Sequence, residues 1–418
     1  MNEELPKIAI IGAGPMGIET ALYARFLGYP VVLFEKGEIA AHVQAWGHVQ
    51  LFTPFGMNSS SLGISALQAQ DPNHALPDPN AQHSGRDWVT KYLEPLASSD
   101  LIRGCLRTHV QVQAIGKDRF ASPTSMDASM PPFRLLTINA QGEQAIETAD
   151  IVIDTSGTWS HPNPCGKAGI PAMGELETRE KELPETTMFD HGIPDLSQLE
   201  FDSNATFAVL GSGYSSATNV MQLQGLVAQH PAINAYWLTR GDRSNLGPIS
   251  VVDQDPLPYR DELARTANSL AVNADWLQWI SGVELESIQF DSGEFQLLLS
   301  NGHTLSVNHL LANTGFEGDY QMLRGLHVNR CYISGGPMAW AASVNQTEGD
   351  CLQQTSAGPE ALKTTEPGFF IVGSKSYGKD PRFLYATGLQ QIRDVFKIIA
   401  ERDNLDLYET MKPNISTG

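Results

Sequence analysis

The sequence predicts an α/β protein built from two three-layer domains, the second inserted into the first. Two observations lead there. A strand–glycine turn–helix–strand unit opens the chain at Gly12 and recurs, in the same order, at Gly211. Between and after these units lie β-rich segments that belong to neither. The boundaries expected are 1–163 for the first part of the outer domain, 164–306 for the inserted domain and 307–418 for the remainder of the outer one.

The elements follow in order. Lys7-Ile-Ala-Ile-Ile11 is a short apolar run, compatible with a strand buried on both faces. Gly12-Ala-Gly-Pro-Met-Gly17 is the turn, Ile18 to Leu27 is helical, Gly28-Tyr-Pro ends the helix, and Val31-Val-Leu-Phe34 is the second strand. In the repeat, Thr206-Phe-Ala-Val-Leu210 leads into Gly211-Ser-Gly-Tyr-Ser-Ser216, a helix from Ala217 and the strand Ala235-Tyr-Trp-Leu-Thr239. Further strands are expected at Ile151–Thr155, from Leu305 to Leu311, and at Phe369–Val372, running into Gly157, Gly315 and Gly373. Apolar residues at helical spacing from Gly388 to Ala400 predict a closing helix. Residues 71–85, 121–132, 160–198 and 341–367, rich in Pro, Gly, Asn or Ser, read as loops or linkers.

Composition narrows the function. The 418 residues carry 27 Lys and Arg against 47 Asp and Glu, a formal charge of −20, and that acidity argues against nucleic acid or an anionic membrane as partner. A hydrophobic share of 41% suits sizeable cores. The longest apolar runs are too short to span a bilayer, and the acidic opening is unlike a signal peptide. Cys105, Cys165, Cys331 and Cys351 are scattered, with no CxxC pair for a zinc ribbon or a thioredoxin-type dithiol, so no metal site is expected. A cytoplasmic protein with a small-molecule substrate is expected, a homodimer being left open.

The glycine turns carry the chemistry. In Gly-x-Gly-x-x-Gly, the first glycine permits the tight turn, the second lets a pyrophosphate approach the backbone, and the third lets helix and strand pack closely. Gly12, Gly14 and Gly17 occupy these positions, with Pro15 and Met16 between the second and third glycines. Free N–H groups at the helix start meet phosphate charge. Glu35, followed by Lys36, closes the second strand where a carboxylate accepts hydrogen bonds from both ribose hydroxyls. That carboxylate repels a 2′-phosphate, so the first turn suits FAD or NAD. The second turn has Gly211, Gly213, Tyr214, Ser215 and Ser216, with serine in the third position. Its second strand ends in Thr239-Arg240-Gly-Asp-Arg243, and Arg240 and Arg243 match a guanidinium fork on a 2′-phosphate, favouring NADPH over NADH. Both domains are therefore expected to be Rossmann-like dinucleotide-binding domains.

With these residues the chain resembles the two-dinucleotide-binding flavoproteins, a group that includes flavin-containing monooxygenases, N-hydroxylating monooxygenases and thioredoxin-reductase-like enzymes. Asp154-Thr-Ser-Gly157-Thr158 and Asn313-Thr-Gly-Phe316 are similar to the two crossings between domains, and Ser160-His-Pro-Asn-Pro164 to the proline-bearing segment of monooxygenases. Phe369-Phe-Ile-Val-Gly373 occupies the place of the strand and glycine that contact the flavin ribityl chain, with Ser374 where an acid is usual. The ending, with Pro381-x-Phe-Leu384 and Thr387-Gly388-x-x-Gln391, is similar to a bacterial subgroup of FAD/NAD(P)-binding flavoproteins. The resemblance implies that the helix near Gly388 points its N–H groups at the flavin pyrimidine oxygen. Residues 165–205 lack the Phe-x-Gly-x-x-x-His signature of Baeyer–Villiger enzymes and flavin-containing monooxygenases.

The resemblance implies FAD and NADPH as cofactors. Its leading activity is a monooxygenase that oxygenates a small nitrogen- or sulfur-containing substrate through a flavin C4a-hydroperoxide. The alternatives are an NAD(P)H-dependent flavin reductase or dehydrogenase without a redox dithiol, and a flavin-binding sensor with little turnover. Trp46-Gly-His48-Val-Gln50 lies where related flavoproteins bring the chain beside the isoalloxazine ring, and His48 or Gln50 could hydrogen-bond the flavin or a hydroperoxide. The opposing readings are a loop histidine with packing aromatics, an inert thiol at Cys351 and a solvated loop at Asp253–Arg260.

Overall fold

The structure is a computed structural model that describes residues 4–117, 131–241, 246–344, 351–353 and 357–411. The chain divides into two compact units, Met1–His161 with Glu317–Gly418, and Pro162–Phe316.

The first unit is built on a five-stranded parallel sheet. Its order is Phe369–Ile371, Ile151–Asp154, Ile8–Ile11, Val31–Phe34 and Leu106–Arg107. Ile8–Ile11 lies at the centre and all four residues are buried. The period-two alternation sends Ile8 and Ile10 into one core cluster and Ala9 and Ile11 into another. The first cluster takes in the helices Pro15–Phe26 and Tyr385–Ile399. The second lies against the antiparallel sheet Val110–Lys117, Phe133–Asn139 and Gln144–Ala149. These are the three layers, and they explain why the central strand needs apolar side chains on both faces.

The second unit repeats the plan. Its parallel sheet runs Leu277–Ser281, Asn234–Thr239, Thr206–Leu210, His309–Ala312 and Met188–Asp190. An antiparallel sheet of Leu285–Asp291, Glu294–Leu299 and Thr304–Val307 shares a core with it through Leu210, Leu238, Phe295 and Leu310.

Several elements differ from the sequence reading. The expected strand from Leu305 to Leu311 is two strands, because the chain passes from the antiparallel to the parallel sheet at Asn308. The Asn308 N–H donates to the Thr206 carbonyl, and its side-chain oxygen accepts from the Thr206 N–H, both at 2.8 Å. The second unit consequently extends to Phe316, beyond the 306 expected, since His309–Ala312 is a strand of its sheet. Both helices after the glycine turns begin earlier than expected, at Pro15 and Tyr214, each capped by a glycine. The closing helix starts at Tyr385, which puts Gly388 inside its first turn. The stretch 160–198 contains the helix Glu175–Glu180 and the edge strand Met188–Asp190. The stretch 341–367 contains the helix Pro359–Leu362 and the end of Met338–Val344. Of the expected loop 121–132, residues 121–130 lie outside the described residues.

Candidate nucleotide-binding sites

In the first unit the turn is shaped by what surrounds it. Gly12 has φ +97°, the left-handed region that favours glycine, and its N–H donates to the Phe34 carbonyl. Gly17 is forced by contact: a Cβ there would sit 1.7 Å from the Gly12 carbonyl oxygen and 2.8 Å from the Thr155 hydroxyl. Gly14 is different, because a Cβ there would meet nothing within 4 Å. Nothing in the folded chain requires that glycine, and the space it leaves is the approach a pyrophosphate needs. Gly14 caps the helix, Pro15 takes the first helical position, and the first turn carries no acid to offset the positive helix end.

The flanking residues converge on this turn. The buried Glu35 carboxylate accepts from the Ala13 N–H at 2.7 Å and the Gly37 N–H at 2.9 Å, which fixes it at the end of the second strand. Lys36 donates to the Ser160 hydroxyl at 3.0 Å. Met16 is buried, and its side chain occupies the space of two other expected contacts. A Cβ on Gly373 would lie 3.0 Å from Met16 Cγ, and one on Gly388 would lie 2.1 Å from Met16 Sδ. Gly157 faces Ser374, whose hydroxyl lies 3.7 Å from where a Gly157 Cβ would stand. Trp46 lies with its ring centroid 6.1 Å from that of Trp159 and leaves no room for a side chain at Gly85. His48 and Gln50 sit half-buried on a stretch bonded antiparallel to the chain around Ser84, through Leu51 N–H to His83 and Gly85 N–H to Val49.

In the second unit Gly211, with φ +126°, lies so close to the Asn313 carbonyl that a Cβ would fall 2.4 Å from it. A Cβ on Gly213 would meet nothing within 4 Å, as at Gly14. Gly213 caps the helix that opens with Tyr214 and Ser215, both half-buried, again with no acid in its first turn. Ser216 is fully buried and its hydroxyl donates to the Gly213 carbonyl at 2.6 Å. Arg240 is exposed just past the strand Asn234–Thr239; Arg243 lies outside the described residues.

Sequence reading missed the residues that brace these turns. The Thr155 hydroxyl donates toward the Ile11 and Gly12 carbonyls at 2.8 and 2.9 Å. Asn219 and Asn313 bond each other at 2.9 Å and both reach the Gly192 carbonyl, tying the carboxyl end of the strand His309–Ala312 to the first half of the helix Tyr214–Val227. His191 stands beside them, its pKa lowered to about 4 by burial first and then by Arg179. The position of Thr155 and Asn313 at strand ends was a signal; their partners, distant in sequence, were not.

In each unit a glycine-capped helix begins at the carboxyl end of a parallel sheet, with open space at the second glycine of the turn, which is where dinucleotides bind in folds of this class. The chain has the two-dinucleotide-binding flavoprotein fold, and solved structures agree. It is similar to bacillithiol disulfide reductase from Bacillus cereus, with TM-score 0.64 and 16% identity over 95% of this chain and 99% of that one. It is also similar to the ornithine N-hydroxylase of Kutzneria sp. 744, solved with reduced FAD, NADP+ and L-ornithine (TM-score 0.59, 12% identity, 95% and 99% covered). The FAD-bound cadaverine monooxygenase of Erwinia amylovora has TM-score 0.57 and 15% identity, with 98% and 96% covered. No family model and no curated protein matches the sequence.

Proposed function

We propose that the protein is an FAD-dependent oxidoreductase that uses NADPH, with the first unit holding FAD and the second NADPH. The observation that carries this is the pair of glycines, Gly14 and Gly213, whose missing side chains serve nothing in the fold and open a backbone approach for a pyrophosphate. The residues present fit those groups. Gly12–Gly17 would cradle the FAD pyrophosphate, Glu35 would accept from its adenosine ribose, and Arg240 would meet the 2′-phosphate of NADPH. When bound, FAD would supply the redox chemistry and NADPH the reducing equivalents. The protein's part is to bind, orient and exclude water. Within that class we read the activity as oxygenation of a small nitrogen- or sulfur-containing molecule, supported by the fold shared with the ornithine and cadaverine monooxygenases.

The test is stoichiometric. Purified protein reconstituted with FAD should be yellow and bleach with NADPH under nitrogen. In air, with small amines or thioethers as candidates, one oxygenated product should form per NADPH oxidised. NADPH oxidation that yields only hydrogen peroxide with every candidate counts against oxygenation. A second reading is a reductase delivering electrons to an acceptor other than O₂, favoured by the fold shared with bacillithiol disulfide reductase. The sequence holds no CxxC pair, so such a reductase would have to work without a thioredoxin-type dithiol. Faster NADPH oxidation on adding an oxidised acceptor under nitrogen distinguishes it.

A further inference from the structure

Beneath the turns of the first unit lies a pair of opposite charges with no solvent exposure. Lys375 Nζ lies 2.6 Å from Asp154 Oδ2, and both side chains are 0% exposed. The same ammonium donates to the Ser156 hydroxyl at 3.1 Å. That hydroxyl donates to Asp154 Oδ1 at 2.6 Å, and the Ser156 N–H bonds the same oxygen at 3.0 Å. Tyr320 completes the enclosure, its ring centroid 4.9 Å from the ammonium and its hydroxyl donating to the Lys375 carbonyl.

The placement gives the pair a purpose. Asp154 ends the strand Ile151–Asp154 and Lys375 follows Gly373 and Ser374, so the ion pair ties two segments 221 residues apart. Ser156 lies directly under the glycine turn, its Cα 2.9 Å from where a Gly12 Cβ would stand. Above the tie, Gly157 and Ser374 face each other, and Ser374 is half-exposed while Gly373 and Lys375 on either side are buried. Taking two ions out of water is costly, and a packed apolar pair of similar volume would serve stability at least as well. Retaining the charges at this place points to a role in what the turns hold.

We propose that Asp154 and Lys375 are a positioning pair for FAD, setting the spacing of Gly157 and Ser374 and keeping the interior beneath the glycine turn free of net charge. This rests on the reading of the first unit as the FAD site. Unbalancing the pair leaves one buried charge in a low-dielectric interior, where its field acts strongly on a flavin that gains negative charge on reduction.

Two measurements test it: FAD affinity, by fluorescence titration of the apoprotein, and the midpoint potential of the reconstituted protein. Asp154→Asn leaves the ammonium unbalanced and raises the potential; Lys375→Met leaves the carboxylate and lowers it. Each shift should reach the tenfold change in redox equilibrium that corresponds to ~30 mV for two electrons. Both variants should bind FAD at least tenfold more weakly. The double variant should return to the wild-type potential yet keep the weak binding, because the tie is still missing. Ser156→Ala, which keeps both charges but removes the two hydrogen bonds of the hydroxyl, should weaken FAD binding about threefold at unchanged potential. Shifts of the same sign in the two single variants, or no shift, overturn the proposal. Should a single variant not fold, wild-type FAD affinity in both Ser156→Ala and the double variant overturns it equally. A wild-type protein that takes up no FAD overturns the cofactor reading and this proposal with it, whereas variants matching an FAD-binding wild type overturn the proposal alone.

Discussion

The two glycine turns share a plan and part company at the third small residue. In the first unit Gly17 has no room for a methyl group, since the Gly12 carbonyl and the Thr155 hydroxyl already fill the space. In the second unit Ser216 occupies the same step and uses its hydroxyl to bond the Gly213 carbonyl. The third position therefore answers to how closely helix, turn and neighbouring strand approach. The second position does not: Gly14 and Gly213 both face open space. Comparing the turns separates glycines whose surroundings are filled by the fold from glycines that it leaves facing open space.

The largest expected effect breaks that comparison directly. Gly17→Ala must displace backbone and should cost ~3 kcal/mol or more of stability, with loss of bound FAD. Ser216→Ala removes one hydrogen bond and should cost ~1 kcal/mol. Chemical denaturation of both variants checks the pair; equal costs would mean the third position is equivalent in the two units.

A pH contrast comes next. In the first unit Glu19 is buried on the helix after the turn, and burial raises its pKa against hydrogen bonds from Tyr92 and Tyr385 at 2.7 and 2.8 Å. A raised native pKa means stability is fully present below the unfolded value and falls as pH rises, by about 1.4 kcal/mol per pH unit until Glu19 ionises in the native state. Glu19→Gln should remove that slope and melt higher than wild type at neutral pH. In the second unit burial lowers His309 to about 4, with Phe207 stacked on it at 4.4 Å, and His191 is lowered likewise. Their contribution is present above the unfolded histidine pKa of about 6.5 and is lost as pH falls toward 4, again by about 1.4 kcal/mol per unit for each. His309→Phe should flatten the acid side of the melting profile. An unchanged acid slope in that variant would remove His309 from the account.

Smaller still, Gly14→Ala and Gly213→Ala should leave melting temperature unchanged while each weakens only its own nucleotide about tenfold, or ~1.4 kcal/mol. Titration with FAD and with NADP+ reads the two separately. Last, Arg240 is exposed and screened, so Arg240→Ala should raise the NADPH KM by about fivefold, ~1 kcal/mol, with the NADH KM unchanged. Equal effects on both coenzymes would mean that Arg240 does not meet the 2′-phosphate.

The repeated strand–turn–helix unit was legible because its signals are local: apolar runs, glycine spacing, and Glu35 against Arg240 at corresponding strand ends. Element starts were less legible. Tyr214 and Ser215 read as turn residues until the Gly213 cap showed that they begin the helix. Gly373 and Gly388 were read through the flavin, and the structure adds a second reason for them in the Met16 side chain packed against both. Asp154 gave no sign of its partner, since no spacing rule links it to Lys375.

By itself the amino-acid order determined the class of fold and the number of strand–glycine turn–helix units, because hydrophobic period and turn chemistry act over a few residues. Tertiary structure alone decided which glycines are filled around and which stand open. It also decided that Glu19 is enclosed by tyrosines and that one lysine and one aspartate meet without water. Those outcomes depend on segments hundreds of residues apart being pressed together, and desolvation at such a contact acts only once the chain has closed around it.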